Sequence, residues 1–384
     1  MRPQSQIFAG AGSIALMMTM AAVTQAAPPE GAVPPELQRR AEQAIRHGLE
    51  FLKATQDASG GWPGPGPDAG DPAVTALAAK CFVQHPDYGA KHPVAVRATE
   101  LIRRHQKRNG GIYIDGFGLR NYYTSVCLML LSAAGENHRD AVKAAQQFLT
   151  QLQWDEGEQI TEENAWYGGV GYGQHERPDL SNTQLMLEAL HQSGLPADDP
   201  VFQKALKFIE RCQMCSDSND QPFARQSEQG GFIYSPHQGG ESKAGTITVK
   251  GRTELRSYGS MTYAGFKSML YADVDRKDPR VQNAVEWIRR HYTLDENPNM
   301  PGRQSRQGLY YYFHTFASAL RAWGEPVIVD AGGGRHAWRA DLCEKLISLQ
   351  NQDGSWINPE DRWEEYNPHY VTALAILAMQ SALP

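Results

Sequence analysis

The sequence predicts an all-α protein, an (α/α)6 toroid in which six helical hairpins place an inner ring of helices inside an outer ring. The first observation is a phrase that recurs six times: an aliphatic residue, three further residues, a glutamine (a tyrosine in one copy), and then a glycine turn. The second is an alternation of two helical patterns, one amphipathic and one apolar nearly all round. Because each repeat buries its core only against its neighbours, we expect one domain over 36–384, although 384 residues could form two or three.

The first residues are typical of an export signal, predicted over 1–27. A positive charge near the start is followed by an uncharged apolar stretch over 7–23 and then by small residues. A retained membrane anchor is the alternative, because this stretch approaches the length of a short spanning helix. Gly10 and Gly12 weaken such a helix and favour cleavage. Residues 28–35 predict a linker, and no later segment predicts a membrane span, so we expect an exported protein of the periplasm or the extracellular space.

Composition excludes several classes of protein. Hydrophobic residues make up 41% of the chain and charged residues 21%, which is incompatible with wholesale disorder. The 37 basic and 43 acidic residues give a net charge of −6, which argues against a nucleic-acid or anionic-lipid partner. Of the five cysteines, Cys212 and Cys215 form a CxxC pair without further zinc ligands nearby, so a local disulfide or two buried thiols are expected.

The six hairpins follow from the repeats taken in order. The first helix of a copy, as in 93–106, carries charges on one side, whereas the second, as in 121–134, is apolar on most sides. Such a sharp difference favours a closed ring over an open solenoid. The glycine after each first helix is expected to end it with a left-handed backbone, and the glutamine to reach unpaired carbonyls or the neighbouring turn. The phrases end at Gln56, Gln106, Gln153, Gln213, Tyr292 and Gln350.

This phrase resembles the QW motif of the squalene–hopene cyclase and protein prenyltransferase superfamily. The motif is carried best by Gln56-x3-Gly60-x-Trp62 and Gln350-x3-Gly354-x-Trp356. The resemblance covers essentially the whole chain after the predicted signal. Within the superfamily, the chain is most similar to the exported single-barrel members from bacteria. It implies the same (α/α)6 toroid, with reacting groups around a central cavity at the starts of the inner helices.

The chain departs from the acid that the resemblance implies for a class II cyclase. Those enzymes protonate an alkene with the central acid of a DxDD segment, which requires a neutral, activated carboxylic acid. The matching segment here, 179–182, keeps Asp179 but has Ser181 and Asn182 at the next two acidic positions. The standard cyclase reaction is therefore not expected.

The chain also departs from the zinc ligands of the prenyltransferases. The resemblance places His314 at the position of the zinc-binding histidine and Arg252 at that of a diphosphate-binding arginine. Tyr258 and Ser260, however, stand where an aspartate and a cysteine are required. One histidine cannot hold zinc alone, so zinc is disfavoured and no cofactor is expected.

Polar and aromatic residues near the starts of the inner helices are the candidate site residues. The catalytic candidates are His314, His369, Asp179 and Asp71, and the substrate-binding candidates are Arg252, Tyr122, Tyr258, Tyr263, Tyr311 and Asn182. The structural alternatives stay open, since aspartates are preferred helix N-caps and a histidine can simply be a hydrogen-bonded part of the core. The longest insertion, 216–256, contains the runs 231–235 and 246–250, which predict a short hairpin at the cavity mouth that could select the substrate.

Three functions fit these residues. The first is an exported terpenoid-cyclase or prenyltransferase-like toroid, a transferase or isomerase if it is an enzyme, that binds an apolar or isoprenoid-like ligand in its cavity. The second is a carbohydrate-active barrel, a glycosidase or lyase, which for hydrolysis needs two carboxylates about 5–10 Å apart. Asp71 and Asp179 are the candidates for it, with Glu163 as a further acid. The third is a noncatalytic scaffold that presents its loops to a protein partner.

Overall fold

The computed structural model describes Met1 and residues 29–67, 69–173, 176–360 and 362–384. The predicted signal over 1–27 lies outside the described residues apart from Met1, and residues 29–34 precede the first helix. The described residues form twelve α-helices: α1 (Pro35–Thr55), α2 (Pro72–Gln84), α3 (Pro93–Arg104), α4 (Arg120–Ala133), α5 (Arg139–Thr150), α6 (Leu180–Gln192), α7 (Pro200–Cys212), α8 (Gly259–Tyr271), α9 (Pro279–Arg290), α10 (Leu309–Trp323), α11 (Trp338–Ser348) and α12 (Pro368–Ala382).

The even-numbered helices form a closed inner ring. Each contacts the next in the order α2, α4, α6, α8, α10 and α12, and α12 returns to contact α2. The outer helices close as well, since α1 contacts both α11 and α12. The predicted all-α toroid with inner and outer rings is therefore confirmed, and the contact between the first and last hairpins rules out an open solenoid.

Burial explains why the two rings differ in sequence. In α2 every residue from Pro72 to Phe82 is buried, so small and apolar side chains are required all round. In α1 the buried residues are confined to one face, and the charged ones lie on the other. The amphipathic helices therefore form the solvent-facing wall, and the apolar ones are enclosed between that wall and the centre.

The glutamine of the repeat joins adjacent hairpins. Gln153 Nε2 donates one hydrogen bond to the carbonyl oxygen of Gly168 in its own turn, at 2.9 Å, and another to that of Val201 in the next outer helix, also at 2.9 Å. Four other glutamines make the same double contact: Gln56, Gln106, Gln213 and Gln350. In the sixth copy Tyr292 reaches the next outer helix by donating its hydroxyl to Asp341 Oδ2 at 2.8 Å. The predicted contact of the glutamine with the neighbouring turn is confirmed, whereas its second partner is a carbonyl of the next outer helix and not one at its own helix end.

The glycine of the repeat is required by close backbone contact. Gly168 has a φ of +81°, and a Cβ there would lie 1.9 Å from the carbonyl oxygen of Lys204 in the next outer helix. A side chain is excluded both by this contact and by the left-handed backbone. The equivalent glycines of four other copies are alike: Gly60, Gly110, Gly230 and Gly354.

Two short hairpins complete the described structure. β1 (Thr246–Val249) pairs with β2 (Arg252–Leu255), and β3 (Ile328–Val329) pairs with β4 (Arg335–His336), both antiparallel. The hairpin predicted in the insertion is present, but its second strand is 252–255 and not the 231–235 run. The latter run forms single bridges with Gln213 and Glu241 instead.

The five cysteines are buried and unbridged. Cys212 and Cys215 are therefore ordinary buried thiols, one of the two states expected from the sequence. Burial raises the pKa of the Cys212 thiol well above its usual value, which makes it a poor nucleophile. Among the described helices, none combines the length and apolarity that a membrane span requires.

Candidate functional site

A cavity of about 360 Å³ opens where the inner helices begin, and all six of them contribute to its wall. Its size lies within the range of small-molecule sites. The wall residues from the inner helices and their N-caps are Asp71, Ala73, Val74, Leu119, Tyr122, Tyr123, Ser181, Asn182, Tyr258, Ser260, Met261, Gly308, Tyr311 and Tyr370. Loops above the ring add Pro65, Tyr172, Tyr234, Lys243, Trp363 and Glu364.

Aromatic rings dominate this wall. Seven tyrosines and Trp363 face the cavity, and three of the tyrosines, Tyr122, Tyr258 and Tyr311, are substrate-binding candidates from the sequence. Burial raises the pKa of each of these three phenols, so their hydroxyls are neutral. Such a wall offers apolar area together with ring faces that attract positive charge.

Asp71 is completely buried and serves as the N-cap of α2. One carboxylate oxygen accepts the backbone N–H groups of Ala73 at 2.9 Å and Val74 at 3.0 Å. The other oxygen accepts the hydroxyl of Tyr123 at 2.6 Å and the N–H of Gly66 at 3.3 Å. The carboxylate borders the cavity, but both its oxygens are occupied, so its capping role is established by the structure.

Asp179 caps α6 and holds the side chain of Asn182. Its two oxygens accept the backbone N–H and the side-chain Nδ2 of Asn182, each at 2.8 Å. Burial raises the pKa of Asp179 to about 6, although these hydrogen bonds and one from Tyr234 act in the opposite direction. Asn182 Oδ1 is buried and has no hydrogen-bond partner. Ser181 and Asn182 border the cavity, and their hydroxyl and amide groups are not acids.

Ser181 and Tyr311 meet across the ring at the lower side of the cavity. Their oxygens are 3.0 Å apart, and Gln184 Nε2 donates to the Tyr311 hydroxyl at 3.0 Å. Gln184 Oε1 is buried without a partner. This contact joins α6 to α10.

Three candidates from the sequence lie away from the cavity wall. His369 stacks on Phe51 of the outer helix α1, with the ring centroids 5.6 Å apart. The ring of Tyr263 packs against Phe316 of α10, at a centroid distance of 5.1 Å. Arg252 lies in β2, where its Nη2 donates to the carbonyl oxygen of Gln226 at 2.9 Å. These positions give no contact with a ligand in the cavity.

His314 lies deeper in the ring than the other candidates. Burial lowers its pKa to about 4, and the neighbouring charges of Glu188, Lys267 and Lys80 also act on it. The imidazole is therefore neutral, and it belongs to a polar group below the cavity, separate from the aromatic wall.

The loop before α12 supplies groups that the sequence did not single out. Trp363 and Glu364 border the cavity, and the neighbouring Glu365 is fully buried. Glu365 Oε1 accepts the backbone N–H of Tyr311 at the start of α10, at 2.8 Å, and its Oε2 accepts Asn358 Nδ2 at 2.6 Å. Burial outweighs these bonds and raises the pKa of Glu365 to about 7.

The insertion contributes to the cavity through residues that precede β1. Tyr234 and Lys243 line the wall, with the Lys243 ammonium 4.3 Å from the centroid of the Tyr234 ring. Lys243 also pairs with Glu241, as does Arg177. Tyr234 and Lys243 therefore place part of the insertion at the cavity, as predicted, whereas β1 and β2 do not line it.

Potential metal-binding side chains are not clustered in the part of the chain that the structure describes. Within the described ranges, no group of three or more histidine, cysteine, aspartate or glutamate side chains has the geometry to hold a metal. Tyr258 and Ser260, at the positions of two zinc ligands, offer neutral oxygens.

Fold and site together define an (α/α)6 toroid with one aromatic cavity at the starts of its inner helices. The type II terpene cyclase MstE from Scytonema has this fold: the two chains are 15% identical, with a TM-score of 0.57 over 90% of this chain and 98% of the cyclase. A variant of that cyclase was solved in complex with its substrate, geranylgeranyl dihydroxybenzoate.

The same fold occurs in sugar-active enzymes. A D-mannose isomerase is 12% identical, with a TM-score of 0.55 over 92% of this chain and 99% of its own. A glycosidase variant is 12% identical, with a TM-score of 0.51 over 92% of this chain and 100% of its own. No protein-family model and no curated protein matches the sequence. At these identities the similarities show the fold alone.

Proposed function

We propose that this protein is an exported, terpenoid-cyclase-like toroid that binds an apolar, isoprenoid-like ligand in its central cavity. The observation that carries the proposal is the wall of seven tyrosines and Trp363 around a space of about 360 Å³. Burying an apolar chain against such rings is favourable by roughly 25 cal/mol for each Å² removed from water. The presence of an isoprenoid-derived substrate in a cyclase of the same fold supports this choice.

The ligand is expected to carry a hydroxyl group. Tyr122, Tyr258 and Ser260 border the cavity, and a neutral hydroxyl can both donate and accept a hydrogen bond. Asn182 Oδ1 does not contribute, because it is enclosed by the protein. We therefore favour an isoprenoid alcohol over the corresponding hydrocarbon.

Acid-initiated cyclisation is not part of the proposal. The cyclase segment presents the hydroxyl of Ser181 and the amide of Asn182, and neither can protonate an alkene. The carboxylate of Asp179 already accepts hydrogen bonds from the backbone N–H and the side chain of Asn182 at the start of α6. The proposed activity is ligand binding, with any chemistry different from that of the cyclases.

The test is titration of the exported protein with farnesol, farnesene and a cello-oligosaccharide, followed by intrinsic fluorescence and native mass spectrometry. We expect farnesol to bind more tightly than farnesene, and Ala73→Phe, which fills the cavity, to weaken farnesol binding about tenfold or more. Ala54→Phe, on the exposed face of α1, is the matched control and should bind normally. Failure of both isoprenoids to bind would refute the proposal.

A carbohydrate-active function is the second candidate. It is favoured by Glu364, which borders the cavity, and by the sugar-active enzymes that share the fold, although the second acid, Asp71, is engaged in capping α2. Binding of the oligosaccharide in preference to farnesol, with loss in Ala73→Phe, would support this candidate and exclude the first.

A further inference from the structure

Below the aromatic cavity, charged side chains from opposite helices meet in the centre of the ring. Lys80, Glu188 and Lys267 lie at the same depth in α2, α6 and α8, eight residues after each helix begins. At 1.5 Å per residue this layer lies about 12 Å below the helix starts. Since α2 is opposite α8 in the contact order of the ring, these side chains can influence one another only across the centre.

The layer contains two ammonium groups and one carboxylate. Lys267 Nζ donates to Glu188 Oε2 at 2.7 Å, and the two side chains are 0% and 2% exposed. Lys80 is also buried, but within the described part of the chain it has no carboxylate at salt-bridge distance. Its ammonium donates to Gln192 Oε1 at 2.6 Å and contacts Met129 Sδ at 3.9 Å. Burial disfavours an ammonium without its own counter-charge and lowers the pKa of Lys80.

Polar atoms around this layer have unused hydrogen-bonding capacity. Gln184 Oε1, one helical turn above Glu188, is buried and has no partner. His314 retains accessible surface in the ring centre, and its ring nitrogens have no hydrogen-bond partner among the described residues. The charges of Lys80, Lys267 and Glu188 act directly on this imidazole. The imidazole N–H of His314 is therefore an unused donor close to the two lysines, whereas Gln184 Oε1 is an acceptor.

We propose that the centre of the ring is an oxyanion site that binds a carboxylate or a phosphate group. Lys80 supplies the charge, Lys80 and His314 donate hydrogen bonds, and the Glu188–Lys267 pair keeps the surrounding side chains in place. The oxyanion supplies the negative charge that the layer lacks. It comes either from a free small anion or from the acidic head group of an amphiphile; the second source rests on the proposed function, because the tail would occupy the aromatic cavity.

The site is tested by thermal unfolding of the exported protein as sodium phosphate or sodium acetate replaces sodium chloride at constant ionic strength. We expect a rise in Tm that saturates with anion concentration in the unaltered protein. Lys80→Met, which keeps the shape but removes the charge, should reduce the affinity at least about tenfold, as should His314→Asn. Lys53→Met is the matched control, because Lys53 lies exposed on α1 and pairs with Glu50; it should respond like the unaltered protein.

A second arm separates the two sources of the anion. If farnesoic acid binds more tightly than farnesol, and Lys80→Met abolishes the difference, the oxyanion is the head group of an amphiphile. Equal binding of acid and alcohol, together with saturable phosphate or acetate stabilisation, identifies a free anion. No anion-dependent rise in Tm, or a rise that persists in both Lys80→Met and His314→Asn, would overturn the site even if farnesol binds. Conversely, a phosphate response without farnesol binding would reject only the proposed function.

Discussion

Replacement of Glu365 by glutamine tests whether a buried acid couples pH to the loop over the cavity. Glu365 bonds to the start of α10 through Tyr311 N, and the adjoining Trp363 and Glu364 border the cavity. Burial raises the pKa of Glu365 from 4.5 to about 7. Between these values the folded protein holds a proton that the unfolded chain has released. The stabilisation is therefore complete below pH 4.5 and is lost as the pH rises through about 7.

The expected size follows from the pKa shift. A change from 4.5 to about 7 corresponds to roughly 3 kcal/mol at 1.36 kcal/mol per unit. The assay is urea unfolding at pH 5, 6, 7 and 8, comparing the unaltered protein with Glu365→Gln. The neighbouring groups Tyr310, Tyr370 and Arg306 are present in both proteins, so the difference between the two free energies isolates Glu365.

Glutamine cannot ionise, so the variant should lack this pH-dependent loss. Its free energy of unfolding relative to the unaltered protein should rise by roughly 3 kcal/mol between pH 5 and pH 8. Glu100→Gln, at an exposed position on α3, serves as the control and should show a constant difference. A constant difference for Glu365→Gln as well would refute the reasoning, because it would mean that the buried carboxyl has an ordinary pKa.

Two further predictions concern the joints between hairpins. Gln213→Leu removes the two hydrogen bonds that Nε2 donates to the carbonyl oxygens of Gly230 and Arg280, each at 2.9 Å. It should lower the free energy of unfolding by about 1–3 kcal/mol in urea. Gln203→Leu, on the exposed side of α7, should cost less than about 0.5 kcal/mol, and equal costs would contradict the bridging role. Gly168→Ala should lower the free energy of unfolding by about 1–3 kcal/mol more than Gly194→Ala. Both glycines have positive φ, but only Gly168 faces a carbonyl oxygen, that of Lys204. Thermal unfolding measures the difference, and equal effects of the two substitutions would contradict the close-contact argument.

The toroid was predictable because its signal is local and repeated. The glutamine, the glycine turn and the alternation of helix types each report on neighbouring residues, and the structure shows why: Gln153 binds its own turn and the next hairpin. Six weak local signals in register determine a global ring. The Asp71 and Asp179 caps were predictable for the same reason, because a cap acts within its own helix turn.

The candidate site was predictable only in part. The sequence of an inner helix that is apolar all round does not show which of its side chains face the cavity. Tyr258 and Tyr263 belong to the same helix region, yet one borders the cavity and the other packs between α8 and α10. His369 begins α12 but faces an outer helix. Trp363 and Glu364 adopt positive φ in the loop before α12, a conformation that leaves no periodic signal.

The buried charges show most clearly what ring closure adds to the sequence. Lys80 and Lys267 each appear as a single basic residue in an apolar helix, where a lysine would ordinarily extend its ammonium to solvent. Closure instead directs both toward one centre with a single carboxylate, Glu188. Burying a lysine ammonium in an apolar inner helix destabilises the protein unless a group in the centre of the ring offsets the lost hydration. The repeats therefore make the fold predictable, but they do not show where the chain departs from a simple packed ring. Those positions determine where a polar ligand can be held.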